Sequence, residues 1–407
     1  MEKPFETVIV GGGAAGFFGG LRVRALAPRA SILILESAAR PLGKVLISGG
    51  GRCNVTHDLN DLDRLLEFYP RGGPALASIL RRFMPADTVK WFESRGVKLK
   101  TEADGRMFPV TDRSQSIVDC LLKEAARSRI EVRSGDPVRS VACSPEGYLV
   151  QSKSGRFPCR AVLLASGSSP AGYRWATALG HELVAPVPSL FTFKVNSPLL
   201  QGLAGVSLSR SRATLLLDPP ITQEGPLLVT HWGLSGPAIL KLSAWGARVL
   251  AERNWRCPLS VDLVPDHTGA ELRELLVSLK EGGRRQLGNP PVDLPRSLWR
   301  AVLQGAELHP QRVWAETSNR DLGRLAEHLK AWRFEIAGRG VFKEEFVTAG
   351  GVPLDQVHLK TLESRASPGL FLAGEILNVD GLTGGFNFQS AWASGWVAGQ
   401  GIATRLQ

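Results

Sequence analysis

The sequence predicts an α/β protein, with a helix-covered parallel sheet built from both ends of the chain and interrupted by an inserted β-rich and helical stretch. Three observations predict it. A strand, a glycine-rich turn, a helix and a second strand follow one another within the first 36 residues. The last stretch, after residue 346, returns to the same pattern of apolar strand and glycine-containing helix. Between them the composition shifts near Pro186 to β-branched residues with Gly and Pro turns, then to amphipathic helices.

Each element follows from its local pattern. Residues 7–10 form a short apolar run, as a strand covered on both faces requires. The turn Gly11–Gly16 leads into a helical stretch that Pro28 closes. Residues 31–35 (SILIL) form the next buried strand and end in Glu36, which completes one βαβ unit. Residues 62–96 are mostly helical, with Asp61 and Pro85 as start signals and Gly96 as a stop. Residues 114–128 place Ile117, Leu121, Leu122 and Ala125 on one helix face. Short strands follow at 130–133, 138–143 and 148–152, and 161–165 is a buried strand running into Ser166-Gly167. Residues 191 to about 262 read as a compact β domain. From 268 to 332 the leucines recur at helical spacing, as in Leu272, Leu275, Leu276 and Leu279, and such stripes are core seams. Residues 370–373 are an apolar strand, and 388–402 a Gly- and Ala-rich helix. The expected division is one domain from 1–190 with 346–407, an inserted β domain at 191–265 and a small helical domain at 266–345.

Composition bounds the function. The chain has 407 residues, 43% hydrophobic and 21% charged, which suits two or three globular domains. A formal charge of +11 invites nucleic acid or an anionic ligand as a partner. Its spread argues against nucleic acid: residues 191–345 hold 20 basic and 16 acidic residues, and no basic block exceeds a pair such as Arg81-Arg82. Cys53, Cys120, Cys143, Cys159 and Cys257 form no CxxC pair and are odd in number, so neither a disulfide framework nor a metal site is expected. The reducing cytoplasm is the expected compartment. The N-terminal apolar run is too short for a signal peptide, and no run of about 18 apolar residues suggests a membrane span.

The motifs carry the chemistry. Gly11, Gly13 and Gly16 stand in a GxGxxG turn between strand and helix. The first glycine allows the tight turn, the second lets the backbone approach a pyrophosphate, and the third lets helix and strand pack closely. The helix start at Ala14 and Ala15 offers free N–H groups and a positive dipole end to phosphate. Glu36, 20 residues after Gly16 and followed by Ser37, is placed to accept hydrogen bonds from an adenosine ribose. This unit predicts a dinucleotide without separating FAD from NAD. Residues 369–375 (GLFLAGE) run a strand into a turn at Gly374-Glu375, Asp380 follows, and Gly384, Gly385, Phe386 and Asn387 open a helix. That arrangement resembles the second FAD-contacting element of the glutathione-reductase superfamily. There, an acidic residue meets the ribityl or pyrophosphate portion and a helix N-terminus faces the flavin's pyrimidine end. A third motif runs from Lys44 to Asn54 (KVLISGGGRCN), in which Gly50, Gly51, Arg52, Cys53 and Asn54 form a donor-rich loop able to wrap a pyrophosphate or sit on a flavin face. Ala165, Ser166 and Gly167 resemble the strand-end turn that crosses near the FAD phosphates in that superfamily, although Ser168-Ser169-Pro170 replaces its usual Gly/Thr-rich continuation. Val138 is expected to meet adenine through its backbone.

Taken in order, VIVGGGAAG, KVLISGGGRCNVTH, THWGLSGPAIL, TAGGV and GLFLAGEILNVDGLTGGFNFQSAWASG resemble the BaiN-like bacterial flavoprotein family. Proteins of that family are described as aminoacetone oxidases and as a bile-acid dehydro-reductase. The resemblance implies a Rossmann-like FAD domain interrupted by a β-barrel-like domain and a small helical domain. It implies FAD as cofactor, and a substrate docked between the FAD domain and the insert. No second GxGxxG lies between a strand and a helix, so NAD(P)H is expected only as a diffusible co-substrate, with dioxygen as the other candidate partner. Catalytic candidates are Arg113, which precedes a helix and can hold an anionic group, His231 in the insert, and Cys53. The expected activity is hydride transfer between a small organic substrate and the flavin. The alternative, motivated by the +11 charge, is an FAD-dependent RNA-modifying enzyme.

Overall fold

The computed structural model describes residues 4–282, 285–340 and 347–407. The chain forms two compact units, one from residues up to 187 together with 347–407, the other from 188 to 346. The first is the expected Rossmann-like unit. Its sheet has a parallel centre in which Leu370–Leu372, Arg156–Leu164, Phe5–Val10, Ile32–Leu35 and Glu131–Arg133 lie side by side. Ile32–Leu35 and Leu370–Leu372 are apolar and buried throughout, as are the last four residues of Arg156–Leu164, the pattern of strands covered on both faces. An antiparallel hairpin, Val138–Ser144 with Gly147–Ser152, extends from the Arg156–Leu164 strand.

Register decides what this sheet presents. Val10 stands opposite both Leu35 and Leu164, and Leu164 opposite Leu372. The next residue of each strand, Gly11, Glu36, Ala165 and Ala373, therefore emerges at one carboxyl edge. In open α/β sheets that edge is where ligands bind, beside the strand from which the winding reverses.

The first helix, Ala14–Leu26, and the last, Phe386–Leu406, pack backbone to backbone. A Cβ at Gly395 would lie 2.4 Å from Ala15 O, and one at Gly399 would lie 2.5 Å from Gly19 O. A Cβ at Gly19 would meet Leu163 Cδ2 at 2.5 Å. Gly395 and Gly399 of the last helix thus permit its close approach to the first, while Gly19 lets the first helix seat on Leu163 of the sheet, and the two ends of the chain are tied together at a cost in helix propensity. Residues expected to be helical between 62 and 96 form Leu62–Leu66, Gly73–Leu80 and Pro85–Glu93. Asp61 caps the first of these, accepting from Arg64 N at 3.1 Å.

The second unit contains the β-barrel that the resemblance implies. Phe193–Val195, Gly233–Ser235, Ile221–Thr230, Ser207–Leu215, Cys257–Asp262 and Trp332–Arg339 close on one another in that order. The sixth strand comes after the helices Gly269–Glu281, Arg296–Gly305 and Asn319–Lys330. One apolar cluster joins Leu215, Val229 and Leu259 of the barrel to Leu276, Trp299 and Leu325 of those helices. Among the described residues, barrel and helices share one apolar core.

Candidate functional site

The carboxyl edge of the first unit's sheet gathers four of the sequence motifs. At the first turn the three glycines face different neighbours. A Cβ on Gly11, whose φ is +112°, would lie 2.3 Å from Ala165 O, and one on Gly16 would lie 2.0 Å from Gly11 O. A Cβ on Gly13 would meet nothing within 4 Å. Gly11 and Gly16 close the turn onto the sheet, while Gly13 opens onto free space at the start of a helix that no side chain caps. Uncapped first-turn N–H groups and the helix dipole make that space favourable to an anion. Glu36 borders it, its Oε2 accepting from Gly12 N at 2.8 Å and its Oε1 from Ala38 N at 2.7 Å and Ser37 Oγ at 3.1 Å. Asp136 N donates to Glu36 O at 2.9 Å, so Val138, two residues on, starts its hairpin strand close to that acid.

The C-terminal segment meets this edge through Glu375. Lys44 Nζ forms an ion pair with Glu375 Oε2 and also reaches Ser168 Oγ at 3.3 Å. Thr348 N donates to Glu375 Oε1 at 3.0 Å. Gly167 lies alongside, since a Cβ there would be 3.7 Å from Glu375 Oε2. Gly374 packs on the first helix, where its Cβ would lie 2.9 Å from Ala15 Cβ. Residues at positions 15, 44, 167, 348 and 375 are thus neighbours. Asp380 behaves otherwise. Its side chain is fully buried and pairs with Arg71, which grips both carboxylate oxygens. The acid expected to meet a cofactor's polyol is therefore committed to an internal ion pair, and Glu375 is the carboxylate at the open edge.

The SGGGRCN motif is only partly a loop. It lies in a helix, Gly43–Gly51, whose backbone leaves helical values at Ser48, Gly49 and Gly50. Gly49, Gly50 and Gly51 all have positive φ, and Cβ atoms on Gly50 and Gly51 would meet nothing within 4 Å. Asn54 ties this motif to the closing helix: its side-chain amide bridges Thr56 O and Gly385 N at 3.0 Å each. His57 Nδ1 adds a bond to Gly384 O at 3.0 Å. Phe386 is buried, its ring packed in a three-ring cluster with Phe68 and His57, with centroids 4.4 and 4.7 Å away. Asn387 folds back on Gly381, donating to its O and accepting from its N at 2.8 Å. Phe386 and Asn387 offer a ligand only backbone.

The three catalytic candidates separate. Cys53 is fully buried, and burial pushes its thiol up to about 12, so it is neither reachable nor ionised near neutral pH. It packs. Arg113 is exposed and stands beside the glycine motif, because Ser114 N donates to Gly51 O at 2.8 Å and Ser114 Oγ to Leu46 O at 2.6 Å. Arg52 is not free for a ligand: it bonds Glu102 at 2.6 Å, lies 3.6 Å from Asp112 and covers the Phe108 ring. The Glu102 hydrogen bond raises its pKa further. His231 belongs to the second unit, exposed on the turn between Ile221–Thr230 and Gly233–Ser235. Sequence reasoning passed over Thr348 as a partner of Glu375, and over Arg71. The contacts that reveal both link positions 27 and 309 residues apart.

A family model described as the HI0933-like protein Rossmann domain matches residues 5–401. The chain belongs to this HI0933-like family. Among its relatives, a protein named ribosomal RNA dihydrouridine synthase from Escherichia coli K12 is 30% identical, over 99% of this chain and 98% of that one. A 3-dehydro-bile acid delta(4,6)-reductase from Clostridium scindens is 29% identical over 98% of each. The bile-acid relative bears out the family resemblance carried by the motifs. Solved structures agree on the fold. A 3-ketosteroid delta1-dehydrogenase from Sterolibacterium denitrificans superposes with a TM-score of 0.52 at 12% identity, over 98% of this chain and 99% of that one. The FrdA chain of E. coli quinol fumarate reductase gives 0.51 at 15% identity, over 98% and 70%. At these identities the likeness is one of fold. Among the described residues, no helix is long and apolar enough to cross a membrane.

Proposed function

We propose that this protein is an FAD-dependent reductase that adds two hydrogens across a carbon–carbon double bond conjugated to a carbonyl. The observation that carries the FAD reading is the meeting of Gly13, Glu36 and Glu375 at one sheet edge, where unfilled space faces Gly13. The residues fit the group. Uncapped amides at Ala14 and Ala15 suit a diphosphate, Glu36 suits ribose hydroxyls, and Glu375 suits hydroxyls of the ribityl chain. Lys44 neutralises Glu375 and brings a cation toward the diphosphate. Ser166 Oγ lies buried at the same edge without a hydrogen-bond partner among the described residues, as a group awaiting a ligand would. Ala165, Gly167, the glycines of the 44–54 motif and the backbone of Gly384–Asn387 complete the proposed contacts.

Bound FAD would supply a hydride donor and acceptor, and the chain supplies binding and orientation. The double-bond chemistry rests on the relatives' names. A dihydrouridine synthase and a delta(4,6)-reductase of a 3-dehydro bile acid both saturate a C=C bond conjugated to a carbonyl. A hydride goes to one carbon and a proton to the other, while NAD(P)H, oxidised to NAD(P)+, provides the electrons. Arg113, exposed beside the glycine motif, is the proposed anchor for an anionic part of the substrate. Purified protein is expected to be yellow and to be bleached by NADH or NADPH under stopped flow, with colour returning on addition of an enone. Colourless protein that FAD cannot reconstitute sinks the cofactor assignment. Bleached protein that air reoxidises faster than any enone points to an oxidase.

A second reading makes the enone a uracil base in RNA. The +11 charge favours it, as do the two relatives named for ribosomal RNA, at 30% and 27% identity. It predicts RNA binding whose affinity falls steeply between about 50 and 200 mM salt. Turnover with a small enone but not with ribosomal RNA decides for the first reading, and the converse for the second.

A further inference from the structure

Beside Glu375 stands a side chain that no motif marks. Tyr173 lies in the helix Pro170–Ala178, which follows the Ser166–Gly167 turn directly. It is 7% exposed, and its hydroxyl has no hydrogen-bond partner among the described residues. A buried phenol normally finds a partner, because leaving one unpaired forfeits its hydration for nothing. Seven positions earlier, Ser166 Oγ is buried and unpaired as well. The two orphans share one corner. A Cβ on Gly172 would lie 1.9 Å from Ser166 Oγ and 3.7 Å from Ile376 Cδ1, so the first turn of this helix seats on both the strand end and the Glu375 turn. Burial chiefly, and then the charge of Glu375, push the Tyr173 phenol above its ordinary value, so it stays protonated and able to donate. Glu375 does not consume that donor: its contacts are Lys44 and Thr348 N, and the Tyr173 hydroxyl makes no hydrogen bond to it.

We infer that Tyr173, with Ser166, is a hydrogen-bond donor held in reserve for an oxygen of FAD's ribityl–diphosphate chain. The inference rests on the FAD reading above and adds a residue to it. Without flavin the buried phenol hydroxyl has no hydrogen-bond partner among the described residues. In the loaded protein it gains an acceptor. Removing it must therefore act in opposite directions in the two states, which a merely structural hydroxyl would not do.

The test compares wild type with Tyr173→Phe and, separately, Ser166→Ala, each stripped of flavin. Flavin fluorescence titration gives the FAD dissociation constant, and thermal unfolding gives the midpoint with and without FAD. For Tyr173→Phe the expected result is a dissociation constant raised about tenfold with an unliganded midpoint equal to or above that of wild type. Ser166→Ala moves both readouts the same way. A dissociation constant within twofold of wild type in both variants overturns the inference. So does a Tyr173→Phe protein that fails to fold or loses unliganded stability, because the hydroxyl then has a structural partner. Wild type is measured in the same series. If it binds no FAD, the cofactor reading itself has failed. If it binds FAD and the variants match it, only the role of Tyr173 and Ser166 has.

Discussion

Gly13 and Gly16 are the same residue under opposite constraints. The oxygen of Gly11 sits where a Cβ on Gly16 would go, at 2.0 Å, and backbone cannot yield as a side chain can. Gly16→Ala is expected to cost about 3 kcal/mol or more and to give poorly folded protein. Gly13 has extended backbone, φ −94° and ψ −170°, and empty space over its Cα, so Gly13→Ala costs about 1 kcal/mol or less, the penalty of a poorer N-cap. Flavin per polypeptide should nonetheless fall severalfold in Gly13→Ala, because the methyl enters the space assigned to the diphosphate. Denaturant unfolding and flavin absorbance check both. Equal flavin content in wild type and Gly13→Ala would mean that this space holds no cofactor. GxGxxG spacing makes these glycines visible in the sequence. It does not say which of two acids five residues apart, Glu375 or Asp380, stands at the open sheet edge and which is buried. The partner that removes Asp380 is Arg71, 309 positions away, and no local pattern encodes it.

The closing helix shows what an element needs beyond its own pattern. Its apolar and small residues mark it as a buried helix, yet its placement depends on one polar side chain. Gln389 is fully buried, its Oε1 accepts from Thr56 Oγ1 and Thr88 Oγ1 at 2.7 Å each, and its Nε2 donates to Phe83 O at 2.8 Å. Trp392 Nε1 adds a bond to Val55 O at 2.9 Å. Together with Asn54 and His57, these bonds fix the Gly384–Gly385 turn against the segment that carries SGGGRCN. Gln389→Leu orphans two hydroxyls and a carbonyl, and is expected to cost about 3 kcal/mol or more. A double-mutant cycle with Thr88→Val should show coupling of about 1 kcal/mol, since either single substitution already removes the Thr88–Gln389 bond. A Gln389→Leu protein unfolding at the wild-type denaturant midpoint would leave the network without a structural role. In sequence Gln389 is one glutamine in a small-residue helix, and its importance is set by three groups that arrive from residues 56, 83 and 88.

At the scale of the molecule, the assigned cofactor contacts all come from the discontinuous first unit, whose two stretches are joined by the glycine-mediated contact of the first and last helices. The α/β ends and the β-rich insert were legible because strand and helix periods differ locally. The common core of barrel and helices was not, because it depends on Trp332–Arg339 pairing with Cys257–Asp262 and Phe193–Val195, long-range registers that no local pattern specifies. The strands that leave and re-enter the first unit, Val184–Ser189 and Val347–Gly351, are paired neighbours in a two-stranded sheet. Paired strands lie about 5 Å apart, so a Gly/Ser linker of about six residues can replace 188–346 without straining either end. The shortened protein is expected to fold and to retain FAD with a dissociation constant within about tenfold of the full chain, because Gly13, Glu36, Lys44, Ser166 and Glu375 all remain. Enone turnover should be lost if the insert contributes to substrate binding, and the flavin spectrum reports separately on the cofactor. A soluble, folded deletion protein with no flavin affinity would show that the cofactor depends on the second unit, and would remove the sheet edge from its place as a self-sufficient binding site.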